Sequence, residues 1–204
     1  MENYTKRAEY LLPFGYLFLI VLGIIRESIF YNQLGINIFG HTTLTDILLS
    51  PIAEITRSRT SFFALLLMIG FVYLFYVVLM PKYKDKKWFR EYFMFSKKKS
   101  VNLSEEAVKS EFFKTIVFSL ALCLTGFYMG LGYVDGYRMN QKIHHEKLEF
   151  NYELSCLDNK KPMKIHLIAS NAQNYFYVEE GSKRVKITPL TAVKSLEILE
   201  NPRN

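Results

Sequence analysis

Cysteine is scarce: the 204-residue chain holds two, Cys123 and Cys156. Two are too few for a disulfide framework. Cys123 also falls inside an apolar run, which places the pair too far apart to bridge. Both are expected as free thiols that fill small spaces, and neither has a Cys or His partner at metal-ligand spacing. The catalytic signatures are missing as well. There is no nucleotide-binding glycine loop, no HExxH, no GxSxG and no acid pair in a recognisable frame. The chain therefore reads as non-enzymatic, with no catalytic residues, no cofactor and no metal. No internal repeat is visible, which weighs against a transporter built from repeated halves. No small-x-small cleavage site follows the first apolar run, which is accordingly read as an uncleaved helix.

What the chain has in abundance is apolar length. Ser61 to Met80, SFFALLLMIGFVYLFYVVLM, carries no charge over twenty residues, enough at about 1.5 Å per residue to cross a bilayer core of about 30 Å. Two further spans are expected, at about 10–31 and 112–134. After the Ser61–Met80 span comes a cationic block with Lys82, Lys84, Lys86, Lys87, Arg90, Lys97, Lys98 and Lys99. Trp88, Phe89, Tyr92, Phe93 and Phe95 interleave with these cations, as in segments that lie against a lipid surface. Between residues 81 and 114 there are ten Lys/Arg against five acids, so most of the net +7 sits in one loop. A basic loop beside a span is held on the cytoplasmic face and attracted to anionic lipid. The positive charge thus needs no nucleic acid.

Counting cations near the spans sets the topology. The amino terminus and the 81–114 loop carry twelve Lys/Arg, against six on the other side (Arg26, Arg57, Arg59, Arg138, Lys142 and Lys147). The expectation is a multi-pass cell-membrane protein with a cytoplasmic amino terminus and its carboxy-terminal region outside.

Residues 32–60 do not fit a span. Leu44, Ile47, Leu48, Ile52 and Ile55 form a stripe on one helix face, about 43–57. Thr43 with Asp46 three residues on resembles a capping box, and Pro51 is expected to break or kink the helix. The stretch reads as an interfacial helix lying along the membrane surface or dipping partway into it. Past residue 140 the periodicity changes from helical to alternating. Leu148–Cys156, Met163–Ala169, Tyr175–Val178, Arg184–Thr188 and Lys194–Leu199 read as short antiparallel strands, and 147–200 as a small meander or barrel. Some fifty residues give a marginal core, so this domain is expected to lean on the helices or on neighbouring copies. The fold class is a three-helix membrane domain (1–140) with an interfacial helix and a basic loop (81–111), followed by a small β domain.

Candidate sites are few. Gly126, Gly130, Gly132 and Gly136 repeat at helical spacing, and small residues four apart let helices approach closely in lipid. Arg26, Glu27, His41, Asp46 and Glu54 are the ionisable groups nearest to membrane depth, where charge is costly and marks polar paths. Against that reading, Arg26 and Glu27 suit an interface and Asp46 suits a capping acid. His144-His145 belongs to a solvated linker, since adjacent histidines on a helix diverge. The expected function is that of an oligomer-forming integral membrane protein whose β domain binds a partner or senses a signal, channel-like or a defence-type effector. The alternative is an accessory or immunity-type protein that neutralises or anchors another protein. The partners implied are the lipid bilayer and a second copy or a membrane protein.

Overall fold

The computed structural model describes residues 2–57, 59–75, 78, 82, 105–157 and 161–199. They divide into two compact units, Met1–Ile52 with Tyr128–Asn204, and Ala53–Phe127. The element order is α1 (Glu2–Gln33), a 3₁₀ turn (Ile38–Gly40), α2 (Leu44–Arg57), α3 (Arg59–Leu74), α4 (Glu105–His144) and β1 to β5. The seven cations of the basic block beyond Lys82, the end of the Ser61–Met80 run and the turn residues 158–160 lie outside the described residues.

Among the described residues, two helices are long and apolar enough to cross a membrane, over Pro13–Gln33 and Lys114–His144. The expected third, α3, has sixteen described residues. It meets the criterion only when counted with Leu44–Glu54 as one broken span.

In the first unit, α1 stops where its sequence provides a left-handed residue. The Ile36 N–H donates to Tyr31 O and the Gly35 N–H to Asn32 O, with Gly35 at φ +72°. This is the Schellman closure, and Ile36 completes it by packing with Tyr31 in the same apolar cluster. Gly35→Ala is expected to cost about 1–2 kcal/mol, because a Cβ opposes left-handed φ; chemical denaturation in detergent would measure it.

The start of α2 is a capping box. The Asp46 N–H donates to Thr43 Oγ1 at 3.2 Å and the Thr43 N–H to Asp46 Oδ2 at 3.1 Å. Pro51, expected to break or kink the helix, does not end it: α2 runs through it to Arg57. A proline nitrogen has no hydrogen, so Ile47 O loses its i+4 donor. Gly23 on α1 packs close against that carbonyl, leaving no room there for a side chain.

α4 is longer than the expected span. At forty residues it extends about 60 Å and continues through Met139 and Ile143, with His144 as its last residue. Its final turns remain helical because Met139 and Ile143, one turn apart, both pack into the core beneath the sheet.

The sheet has the order β4-β3-β2-β1-β5, all antiparallel, with β1 Tyr152–Cys156, β2 Met163–Ser170, β3 Asn174–Glu179, β4 Val185–Pro189 and β5 Val193–Ile198. Four strands form a meander and the fifth returns to pair with the first. Only Leu190–Ala192 separates β4 from β5, a reach of at most about 14 Å. Outer strands of a flat five-stranded sheet stand about 19 Å apart, so the sheet curls. Strand β1 is shorter than the alternation from Leu148 implies, because Leu148 packs into the helix-side core instead of pairing.

Both sheet faces are covered. Ile168, Phe176 and Val178 pack with Phe30, Tyr31, Ile38 and Ile143 from the ends of α1, the 3₁₀ turn and α4. Leu154, Ile165 and Tyr177 form a second core within the curl. The sheet thus shares its larger core with the helix ends.

In the second unit, α3 exposes Phe62, Phe63, Leu66, Leu67, Phe71 and Leu74. On α4, Thr125 donates its hydroxyl to Ala121 O at 2.8 Å, which satisfies that group inside an apolar helix.

Candidate functional site

Three features of the first unit bring the sequence candidates together. One is a polar cluster on α1. Arg26 and Glu27 form an ion pair at 2.5 Å, with side chains 10% and 15% exposed. Glu27 Oε1 also accepts from Ser50 Oγ on α2, and the Arg26 guanidinium lies 5.4 Å from the centre of the Phe30 ring, one helical turn on. The glycine contact at Gly23 and the Glu27–Ser50 bond are one turn apart, so both fix the same α1–α2 face. Tyr128, on α4, donates its hydroxyl to Pro51 O at 2.9 Å. The Glu27 carboxylate and the Ser50 and Tyr128 hydroxyls thus find their partners within the helix packing.

A second feature is a clamp between the helices and the sheet. The β2–β3 turn is shaped by Asn171, whose Oδ1 accepts from the Gln173 and Asn174 N–H groups. The turn then grips the connector. Asn171 Nδ2 and Asn174 Nδ2 both donate to His41 O, at 2.6 and 3.0 Å. The Ala172 N–H donates to Asp46 Oδ1 at 3.3 Å, while Asp46 Oδ2 takes the Thr43 N–H and Oγ1. Asp46 therefore caps α2 with one oxygen and holds the sheet with the other. The His41 ring meets Phe176 edge-on at 6.5 Å.

The third feature splits the glycine series. A Cβ at Gly132 would stand 2.6 Å from Arg26 O and 3.3 Å from Ile29 Cβ; one at Gly136 would stand 2.8 Å from Phe30 O. These two glycines seat α4 against α1. At Gly126 and Gly130 an added Cβ meets nothing within 4 Å among the described residues. Glu54 is buried and Lys82 is exposed.

A cleft of about 560 Å³ opens where α1 ends, lined by Ser28, Asn32 and Asn37 with Ile29, Ile36 and Phe39. On the sheet side, Lys183 bonds Glu146 at 2.9 Å. That hydrogen bond and the ammonium charge hold the Glu146 carboxyl below its ordinary value, so the pair persists above that value and is lost as pH falls through the lowered one. Glu179 likewise raises Lys186 through a hydrogen bond at 2.6 Å. Cys123 and Cys156 are free thiols. Among the described residues no three His, Cys, Asp or Glu side chains gather as metal ligands would.

Sequence reasoning missed Gly23, Ser50, Tyr128, Asn171 and Asn174. Only Asn171 left a local signal, the Ser-Asn-Ala-Gln-Asn turn composition; the rest act across the chain. No protein family, curated protein or solved structure matches this chain.

Proposed function

We propose that the chain is a non-enzymatic membrane subunit that self-associates and whose carboxy-terminal sheet binds a partner or senses a signal. The observation that carries this reading is the clamp of Asn171, Ala172 and Asn174 on His41 and Asp46. A load on the β2–β3 turn reaches the first turn of α2 through these bonds, so an event at the sheet is felt by a helix of the membrane region. In this reading the chain crosses three times, with the amino terminus cytoplasmic and the sheet outside. Copies associate through the Gly126–Gly130 face of α4, and the assembly acts as a small channel or a defence-type effector.

The accessory reading, in which the sheet holds and neutralises or anchors another protein, draws on the outer strands β4 and β5. An outer strand offers backbone groups to an added strand.

Light scattering in mild detergent with ion flux from vesicles separates the two. The self-association reading expects a defined oligomer that passes ions, and a monomer for Gly126→Leu/Gly130→Leu with an unchanged fold. A wild-type monomer that passes nothing sinks it and leaves the accessory reading. The clamp has its own test. Asp46→Ala is expected to cost about 1–2 kcal/mol and to speed hydrogen exchange in residues 41–46 and 171–174 together. Faster exchange in residues 41–46 alone would show that Asp46 only caps α2.

A further inference from the structure

Helix α2 is apolar on the side it exposes and polar on part of the side it buries. At 100° per residue, Thr45, Leu49, Ile52, Ala53 and Thr56 share one arc, and all five are exposed. Leu49 is 52% exposed and Ile52 49%, so two large aliphatics stand together on the exposed face. No ionisable residue lies on that arc. The opposite arc holds Ile47, Ser50, Pro51 and Glu54. There Ser50 bonds Glu27, Pro51 O takes the Tyr128 hydroxyl, and Glu54 is 6% exposed. In water the arrangement would be reversed, with the carboxylate out and the leucine in.

The Thr56 hydroxyl on the exposed arc behaves as hydroxyls do in hydrocarbon. Thr56 donates to Ala53 O of its own helix at 2.9 Å, the same internal satisfaction seen for Thr125 on α4. The face also resembles the surfaces of the two candidate spans, where Phe14, Leu17 and Val21 on α1 and Phe118 and Leu122 on α4 stand exposed. Leu44–Glu54 taken with Arg59–Leu74 has the length and composition of a broken span.

We propose that α2 is embedded among lipid acyl chains, with the Leu49–Ile52 arc as its lipid contact, and does not lie at the headgroup surface. The inference rests on the membrane reading of the two long helices. It gives the clamp a direction: α2 starts under the β2–β3 turn, at the capping box, and descends from there into the bilayer. Ser50 and the Pro51 carbonyl stay against α1 and α4, where polar backbone at membrane depth is tolerated.

The test uses the full chain with Cys123 and Cys156 replaced by Ala. Single Leu49→Cys, Ile52→Cys, Leu17→Cys and Lys194→Cys variants are labelled with an environment-sensitive fluorophore and reconstituted in phosphatidylcholine vesicles. Quenching is compared between a lipid carrying a doxyl group midway along its acyl chain and iodide in the buffer. The expected result is that emission from positions 49 and 52 is at least halved by the lipid quencher, as at 17, and is untouched by iodide. Lys194, exposed on β5, reports water. Iodide quenching at 49 and 52 with lipid quenching at 17 overturns the embedding and leaves the membrane reading standing. Shielding of 49 and 52 from both quenchers also overturns it, since a second copy or another protein then covers the arc. Iodide quenching at 17 overturns the membrane reading itself.

Discussion

Gly132→Leu and Gly136→Leu are each expected to unfold the α1–α4 pair, whereas Gly126→Leu and Gly130→Leu leave it standing. At positions 132 and 136 the nearest atoms to a new Cβ are backbone oxygens, Arg26 O at 2.6 Å and Phe30 O at 2.8 Å. A flexible side chain can swing aside from an intruding methyl, but a carbonyl held in a helix can do so only if the helix moves. Adding several carbons at either site therefore separates two helices along their whole contact. The cost is expected to be about 3 kcal/mol or more at each position, the upper part of the range for overpacking. The sheet suffers too, because Phe30 from α1 and Ile143 from α4 share its larger core. Thermal unfolding in detergent should show a large fall in Tm for 132 and 136 and none for 126 and 130. An equal fall in Tm at all four positions would mean that packing against α1 is not what sets 132 and 136 apart, since propensity alone favours leucine over glycine in a helix.

That contrast also shows what a sequence can and cannot say here. Four glycines at one spacing are identical as a pattern, and nothing local separates the pair that meets Arg26 and Phe30 from the pair that meets open space. The distinction depends on residues about a hundred positions away. Features closed within a few residues were legible. Thr43 and Asp46 form the capping box their spacing implies, and the strand alternation located all five strands to within a few residues, except for the start of β1. Pro51 lies between these cases. Its missing N–H is a local fact, but the close approach of Gly23, on another helix, to the orphaned Ile47 carbonyl is not. The end of α4 was misread for a similar reason, His144 having been assigned to a solvated linker. Residues 138–145 are polar enough to end a span, and only contact of Met139 and Ile143 with the sheet keeps them helical. The small β domain was expected from its size alone to lean on the helices or on neighbouring copies; Phe176 and Val178 pack against the helix ends.

Glu27→Leu is expected to be the most damaging change to a charged residue. Arg26 is 8% exposed as a residue, and Glu27 supplies the carboxylate 2.5 Å from its guanidinium. Removing one member of a buried pair leaves a charge in a poor solvent, which costs about 3–5 kcal/mol, whereas replacing both by apolar residues is often neutral. Arg26→Met/Glu27→Leu should therefore recover most of the loss. Ser50→Ala removes one hydrogen bond to the same carboxylate and should cost only about 1 kcal/mol. A denaturation series in detergent over the three variants and the wild type reads all of these values. If the double variant is as unstable as Glu27→Leu alone, the pair is not the source of the loss. The carboxylate's bond to Ser50, and with it the seating of α2 against α1, would then carry the energy. Either outcome bears on function, because Ser50 and Asp46 lie one turn apart on α2 and the sheet holds that helix through Asp46. A pair that stabilises without Ser50 acts as a fixed anchor within α1. A carboxylate that acts mainly through Ser50 makes α1, α2 and the β2–β3 turn one mechanical unit.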